Sequence, residues 1–263
     1  MDNIFHTELK RAFINSRFIL VFVLAGISFA YGFFQIHPSQ AASPVGALTA
    51  WQEILYSGYY GFFAVIMAVL PFADSLSRDK NEHLLDSMLV RTSYARYLRA
   101  KMLAVALSGA AAVLLPAGLM LGICALIYPA EPVHVLGIYF NFSEIYTRYL
   151  IQPGLTLNPS VGTYAALCLL FPGLFGAAYA LLGMGVSFLT RNAMVAQGIP
   201  FMCYSFGYYL IPTSRHLNWM ISTGAPLIPE GNLFSPILQY ILIAVFFLAV
   251  LQRFGKKESQ ILQ

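Results

Sequence analysis

Residues Met102–Tyr128 read MLAVALSGAAAVLLPAGLMLGICALIY, with no Asp, Glu, Lys, Arg or His among them. At 1.5 Å per residue a helix of this run is about 40 Å long. That exceeds a bilayer hydrocarbon core of about 30 Å. The stretch therefore predicts a membrane-spanning helix, and its surroundings decide the rest of the fold.

Immediately upstream lies a charged island, Asp74–Lys101. It holds Arg78, Lys80, Arg91, Arg96, Arg99 and Lys101, interleaved with Asp74, Asp79, Glu82 and Asp86. Apolar segments flank it on both sides. Six spans are expected in all: Phe18–Ile36, Tyr56–Phe72, Met102–Tyr128, Tyr164–Phe188, Met194–Ile211 and Leu233–Leu251. The composition agrees. The chain is 59% hydrophobic and 10% charged, with mean hydropathy +0.69, whereas soluble domains carry roughly 25% charged residues. The expected fold class is all-α: a polytopic membrane protein of six transmembrane helices, forming one domain over residues 1–263.

The basic residues set an expected orientation. Lys10, Arg11 and Arg17 precede the first span, the island follows the second, Arg191 follows the fourth, and Arg253, Lys256 and Lys257 follow the sixth. Arg148 and Arg215 fall on the other side. Positive charge marks the cytoplasmic face, so both termini are expected there, in a bacterial cell membrane. The first apolar run exceeds the roughly 7–15 residues of a signal-peptide core, so it is read as retained. The net charge of +4 is thereby explained by topology, with no nucleic-acid partner invoked.

Ile4, Phe5, Leu9, Ala12 and Phe13 recur at helical spacing, predicting an amphipathic interfacial helix at the N-terminus with Glu8, Lys10 and Arg11 on its polar faces. Trp51, Tyr56, Tyr59 and Tyr60 are expected in an interfacial aromatic belt, after an outer loop from His37 to Ala50. The long outer loop Pro129–Thr163 is aromatic. The segment Thr213–Asn232 is too broken by Gly224, Pro226, Pro229 and Gly231 to span. Pro116, Pro172 and Pro200 interrupt three of the spans. Small residues such as Gly173, Gly176, Ala180 and Gly183 predict close helix packing. Cys124, Cys168 and Cys203 lack metal-ligand spacing and read as buried free thiols.

The middle of every span lacks ionisable acids and bases, which weakens ion-coupled transport, since pumps commonly keep such groups as relays. No catalytic motif is present, and Ser187 reads as an ordinary helix serine. No phosphate-binding loop is present. Catalytic, cofactor-binding and metal-binding residues are therefore expected to be absent, and any energy for transport must come from another polypeptide. An ion-coupled secondary transporter and a non-transporting immunity or sensor module remain as alternatives.

Asp74–Val90 reads as one amphipathic helix, with Leu84, Leu85, Met88 and Leu89 as an apolar patch framed by Arg78, Asp79, Glu82 and Asp86. Thr92-Ser93 then offers an N-cap, and Tyr94–Lys101 restarts a helix into the third span. An apolar stripe framed by mixed charge suits a partner's groove.

Asp79–Lys101 resembles the first cytoplasmic loop of permease subunits of ABC type-2 exporters. Glu8–Arg11 resembles the entry helix of that family, Leu189–Asn192 its turn between spans four and five, and Thr213–Asn232 its outer re-entrant element. Glu82-His83 stands where the family often has Gly-Thr. The resemblance implies a half-transporter that pairs with a second copy, or a similar permease, within membrane lipid. It implies separate ATPase subunits that bind ATP and Mg beneath. Arg78, Asp79, Glu82, Leu84, Leu85, Met88 and Leu89 would form the coupling helix that docks on the ATPase. An amphipathic or hydrophobic cargo, such as a peptide, antibiotic or lipid-like molecule, would be exported, which allows a role in antibiotic resistance. The residues lining the substrate path are not readable from the sequence.

Overall fold

A computed structural model of the chain describes residues 2–36, 46–82, 84, 92–128, 161–190, 192–210 and 234–255. These residues are overwhelmingly helical. The helices are α1 (Asp2–Phe13), α2 (Ser16–Ile36), α3 (Ala47–Ser57), α4 (Tyr60–Val69), α5 (Ser75–Asn81), α6 (Tyr94–Ile127), α7 (Val161–Leu189), α8 (Ala193–Leu210) and α9 (Phe234–Val250). A π-helical turn, Leu251–Gly255, extends α9. Three of them, α2, α6 and α7, are long and apolar enough to cross a membrane.

The expected first span is α2, and the third is α6. The latter runs 34 residues, or about 50 Å, so it is too long to lie wholly within a core of about 30 Å. Its first two turns carry Arg96, Arg99 and Lys101. Ser93 is extended (φ −70°, ψ 142°) at its N-cap. The Ser93 backbone carbonyl, not its side chain, accepts the Arg96 and Tyr97 N–H groups.

The second span differs from its expected form. Tyr56–Phe72 is not one helix: α3 begins at Ala47, inside the expected loop His37–Ala50, and the chain breaks at Gly58–Tyr59 before α4. At the break the backbones of α2 and α3 come close. A Cβ on Gly58 would lie 2.4 Å from the Ser28 carbonyl oxygen, and one on Gly32 would lie 2.3 Å from the Ile54 carbonyl oxygen. Backbones of α2 and α3 therefore touch, and Ser28 Oγ donates to the Gly58 carbonyl at 2.8 Å. The expected aromatic belt is likewise corrected: Trp51 and Tyr60 are fully buried, while Tyr56 and Tyr59 are exposed. Burial of the first two follows from hydrogen bonding. Trp51 Nε1 donates to the Ala117 carbonyl at 2.9 Å, and the Tyr60 hydroxyl to the Val113 carbonyl at 2.6 Å. Both acceptors lie on α6 within a turn of Pro116.

Pro116, Pro172 and Pro200 do not interrupt their helices; each lies inside one. The principal helix contact, α6 on α7, is built on missing side chains. A Cβ on Gly176 would meet the Gly109 carbonyl oxygen at 2.2 Å, and one on Gly109 would meet the Gly176 carbonyl oxygen at 2.5 Å. Such small-residue contacts let helix backbones approach closely in a membrane. Of the cysteines, Cys124 is buried as expected. Cys203 is exposed, because α8 turns that face outward, with Met202, Phe206 and Tyr209 beside it.

The loops expected at 129–160 and 213–232 lie outside the described residues. So do Arg91, Leu85, Met88 and Leu89. The helix read over Asp74–Val90 is described as α5, with Glu82 as its C-cap and Leu84 helical beyond it.

Candidate functional site

The charged island does not stand apart from the bundle. Its first half folds back under it. Asn15 starts this arrangement by joining α1 to α2. Its Oδ1 accepts the Phe18 N–H at 2.9 Å, and its Nδ2 donates to the Arg11 and Ala12 carbonyls at 3.0 and 2.9 Å. One amide thus caps the start of α2 and the end of α1. The same Nδ2 reaches the Pro71 carbonyl at 3.4 Å, beside the turn that leads into α5.

Helix α1 therefore lies across the foot of α6, with Ala12 buried. Glu8, expected on a polar face, is 0% exposed and points inward. The correction has a simple electrostatic reason. Lys101 is also 0% exposed, and its ammonium lies 3.2 Å from Glu8 Oε2 and against Asp79 Oδ2. The Lys101–Glu8 contact is an ion pair without hydrogen-bond alignment. Asp79, 1% exposed, is compensated by three residues. Arg11 Nη2 donates to Oδ1 at 2.8 Å, and the Tyr97 hydroxyl and Lys101 ammonium both donate to Oδ2. Arg11 also holds Glu8 Oε1 at 2.8 Å. Phe72 closes the site from below, with the Lys101 and Arg11 cations 5.5 and 5.9 Å from its ring centre.

A second group sits alongside. Asp74, 0% exposed, receives Arg17 at 2.7 Å and Arg78 at 3.2 Å. Three buried acids and four bases thus share the foot of the bundle, and each buried charge has an opposite charge in contact. Burial alone raises the Asp79 carboxyl pKa. The Lys101 charge and the hydrogen bonds from Arg11, Lys101 and Tyr97 overcome that, and the carboxyl is held below the ordinary carboxylate value. Asp79 is thus an anion at neutral pH.

Helix α5 is the piece through which these contacts pass. Ser75, Leu76, Ser77 and Asp79 are all buried. Asp79 ties it to α1 and α6. Ser77 Oγ donates to the Thr190 carbonyl at 3.0 Å, tying it to the end of α7. Lys80 stands 5.4 Å from the Phe188 ring centre on the same side. Thr190 and Asn192 form the tight turn into α8, where Asn192 Oδ1 accepts the Met194 N–H at 2.9 Å.

The sequence-derived docking residues thus divide. Arg78 and Asp79 belong to the internal ion-pair groups. Glu82 is exposed and Leu84 is half-buried. Leu85, Met88 and Leu89 lie outside the described residues. What the sequence reading missed is the partnership of Glu8 and Arg11 with Asp79 and Lys101, residues about 70 and 90 positions away. Acids in a basic loop beside a membrane were the available signal: near lipid, each needs a base of its own. Ser187, read as a helix serine, donates to the Met184 carbonyl at 2.7 Å. Among the described residues, no cluster of His, Cys, Asp and Glu is placed to hold a metal ion.

Comparison of the chain with protein-family models, with curated proteins and with solved structures finds no match.

Proposed function

We propose that the chain is the membrane subunit of an ATP-driven exporter of the ABC type-2 kind, moving an amphipathic or hydrophobic cargo outward. In this reading six spans cross a bacterial cell membrane with both termini in the cytoplasm. The α3–α4 pair serves as the second span, and α8 and α9 as the fifth and sixth. A second copy completes the path. Separate ATPase subunits bind ATP and Mg and dock on the segment that begins at Glu82.

The observation that carries the reading is the position of α5. It leads directly into that segment, and it is fastened to three other parts of the bundle at once. Asp79 holds α1 through Arg11 and α6 through Tyr97 and Lys101. Ser77 holds the end of α7 through Thr190. A force applied at residues 82–92 would enter the bundle through α5. The ion pairs would pass it to α1 and α6, and Ser77 to the turn between α7 and α8. A loop that only joined two spans would not need buried charges to fasten it, because desolvating them is costly. The lack of a phosphate-binding loop supports an external motor.

The test is co-purification with an ATPase subunit, and ATP-dependent cargo movement in vesicles. Leu85→Asp and Met88→Asp are expected to abolish both, while the permease stays monodisperse. Unaltered ATPase binding in both variants would refute the docking assignment. Cargo movement driven by an ion gradient without ATP would refute the class.

A further inference from the structure

The opposite end of the bundle carries a cleft of about 300 Å³ lined by Tyr31, Gln35, Tyr56, Ser57, Tyr59 and Tyr208. Its position follows from the chain path. Helix α2 starts beside Asp74 and runs away from the charged foot, so Tyr31 and Gln35 lie near its far end. Helix α4 returns toward Asp74, so Tyr59 at its start is also far from the foot. Ala196 at the start of α8 packs near Gly183 and Ala73, which sends Tyr208 to the far end.

Among the described residues, four tyrosines, a carboxamide and a serine hydroxyl line this space, and no charged side chain does. Two observations indicate that the rings are held for an occupant. The first is backbone strain. Tyr59 sits in the left-handed region at φ 52°, the one described non-glycine residue with positive φ. For an L residue that conformation is unfavourable, and strain of this kind concentrates at functional sites. The second is that the strain gains no burial: Tyr59 is 55% exposed, with Tyr31 at 49% and Tyr56 at 46%. The Tyr59 and Tyr31 rings stand 6.2 Å apart at 33° on the cleft wall, and Tyr208 is braced edge-on against Phe62 at 5.2 Å.

The described charges nearest the cleft favour a cationic ligand. Among the described residues every Lys and Arg belongs to the charged foot, on α1, α5, the first turns of α6, or flanking α2 and α9. The far end holds one described acid, Glu53, a helical turn before Tyr56. Aromatic faces attract cations, and clustered rings recognise quaternary ammonium groups. The geometry points to this cleft as a binding site for an ammonium head group, supplied either by a lipid such as a choline phospholipid or by a free organic cation. The site is independent of the transport reading above.

Choline is the probe, and 3,3-dimethylbutan-1-ol is its neutral isostere. Binding is read by saturation-transfer NMR on the methyl protons, with the full chain in phosphatidylglycerol nanodiscs. Choline is expected to bind saturably and the isostere roughly tenfold more weakly. Tyr31→Leu and Tyr59→Leu are each expected to weaken choline by roughly 3- to 10-fold, while Tyr59→Phe stays within about twofold, because the ring face is kept. Tyr59→Gly relieves the backbone and removes the ring. A loss of binding with an unchanged or raised melting temperature is expected there, and it separates recognition from unfolding. Phosphatidylcholine nanodiscs distinguish the sources. Loss of choline binding in them identifies the lipid head as occupant, and retained binding identifies a free cation; either supports the site. Equal affinity for the isostere, non-saturable choline signals, or unchanged affinity in both leucine variants would overturn it.

Discussion

The two ends of this bundle solve the same problem, buried polar atoms beside a membrane, with different chemistry. At the foot, carboxylates, guanidinium groups and an ammonium compensate one another: Glu8, Asp79 and Lys101 are all but inaccessible, and Arg11 bridges two of the acids. Toward the far half, neutral donors reach backbone carbonyls: Ser28 to Gly58, Trp51 to Ala117, Tyr60 to Val113. The difference lies in what happens when one partner is lost. A neutral hydrogen bond fails alone and modestly. A buried ion-pair group fails collectively, because the remaining charges cannot be neutralised by water. The foot is therefore the brittle end.

The strongest way to break this contrast is Lys101→Met. It leaves Asp79 and Glu8 facing each other with only Arg11 between them. The expected loss is about 3–5 kcal/mol, the cost of stranding a buried charge, measured as reversible denaturant unfolding in detergent. Adding Asp79→Asn removes one of the stranded anions, so the double variant is expected to be more stable than Lys101→Met alone. A strictly additive pair of losses would show that Lys101 and Asp79 are not coupled.

Much of this organisation was legible in the sequence, and the illegible parts share a cause. The run Met102–Tyr128 announced α6 because it lacks charge along its length, and the periodic Ile4, Phe5, Leu9, Ala12 and Phe13 announced α1. Three of the helices are long and apolar enough to cross a membrane. The α3–α4 break was not legible. The outer loop is read through Ala50 and the span from Tyr56, whereas α3 begins at Ala47, and the close approach of Gly58 to the Ser28 carbonyl on α2 has no local sequence signature. Glu8 and Asp79 were seen as charges on polar faces. Their inward direction depends on Lys101 and Arg11 arriving from distant positions, and no local periodicity encodes such a meeting.

A smaller effect is expected at the neutral half. Trp51→Phe keeps a large ring but removes the Nε1–H that reaches the Ala117 carbonyl. One hydrogen bond of this kind contributes about 0.5–1.5 kcal/mol, and the lost indole volume adds to it. The same unfolding measurement should place this variant well above Lys101→Met in stability. If Trp51→Phe proves as damaging as Lys101→Met, the far half is the brittle one and the contrast is reversed.

The smallest expected effect is the response of the foot to pH, and its sign is diagnostic. The Asp79 carboxyl is held below its ordinary value by Lys101, Arg11 and Tyr97 against the opposing effect of burial. A group whose pKa is lower folded than unfolded stabilises the fold above its unfolded pKa, near 3.9 for aspartate. That contribution is lost only as pH falls through the lower, folded value. Stability of the α5 region is therefore expected to be unaffected by Asp79 between about pH 8 and pH 5, with loss beginning only below about 4. Hydrogen exchange over residues 75–81, compared between the parent chain and Asp79→Asn, reads this directly. In the parent, protection should fall on acidification below that point, and the variant should lack this component. Were burial the stronger influence, the folded pKa would lie above 3.9, and the parent would lose protection while the solution was still near pH 5 or 6. An acid-sensitive foot of that kind would mean that Lys101 and Arg11 do not compensate Asp79, and the joint proposed at α5 would lack its anchor.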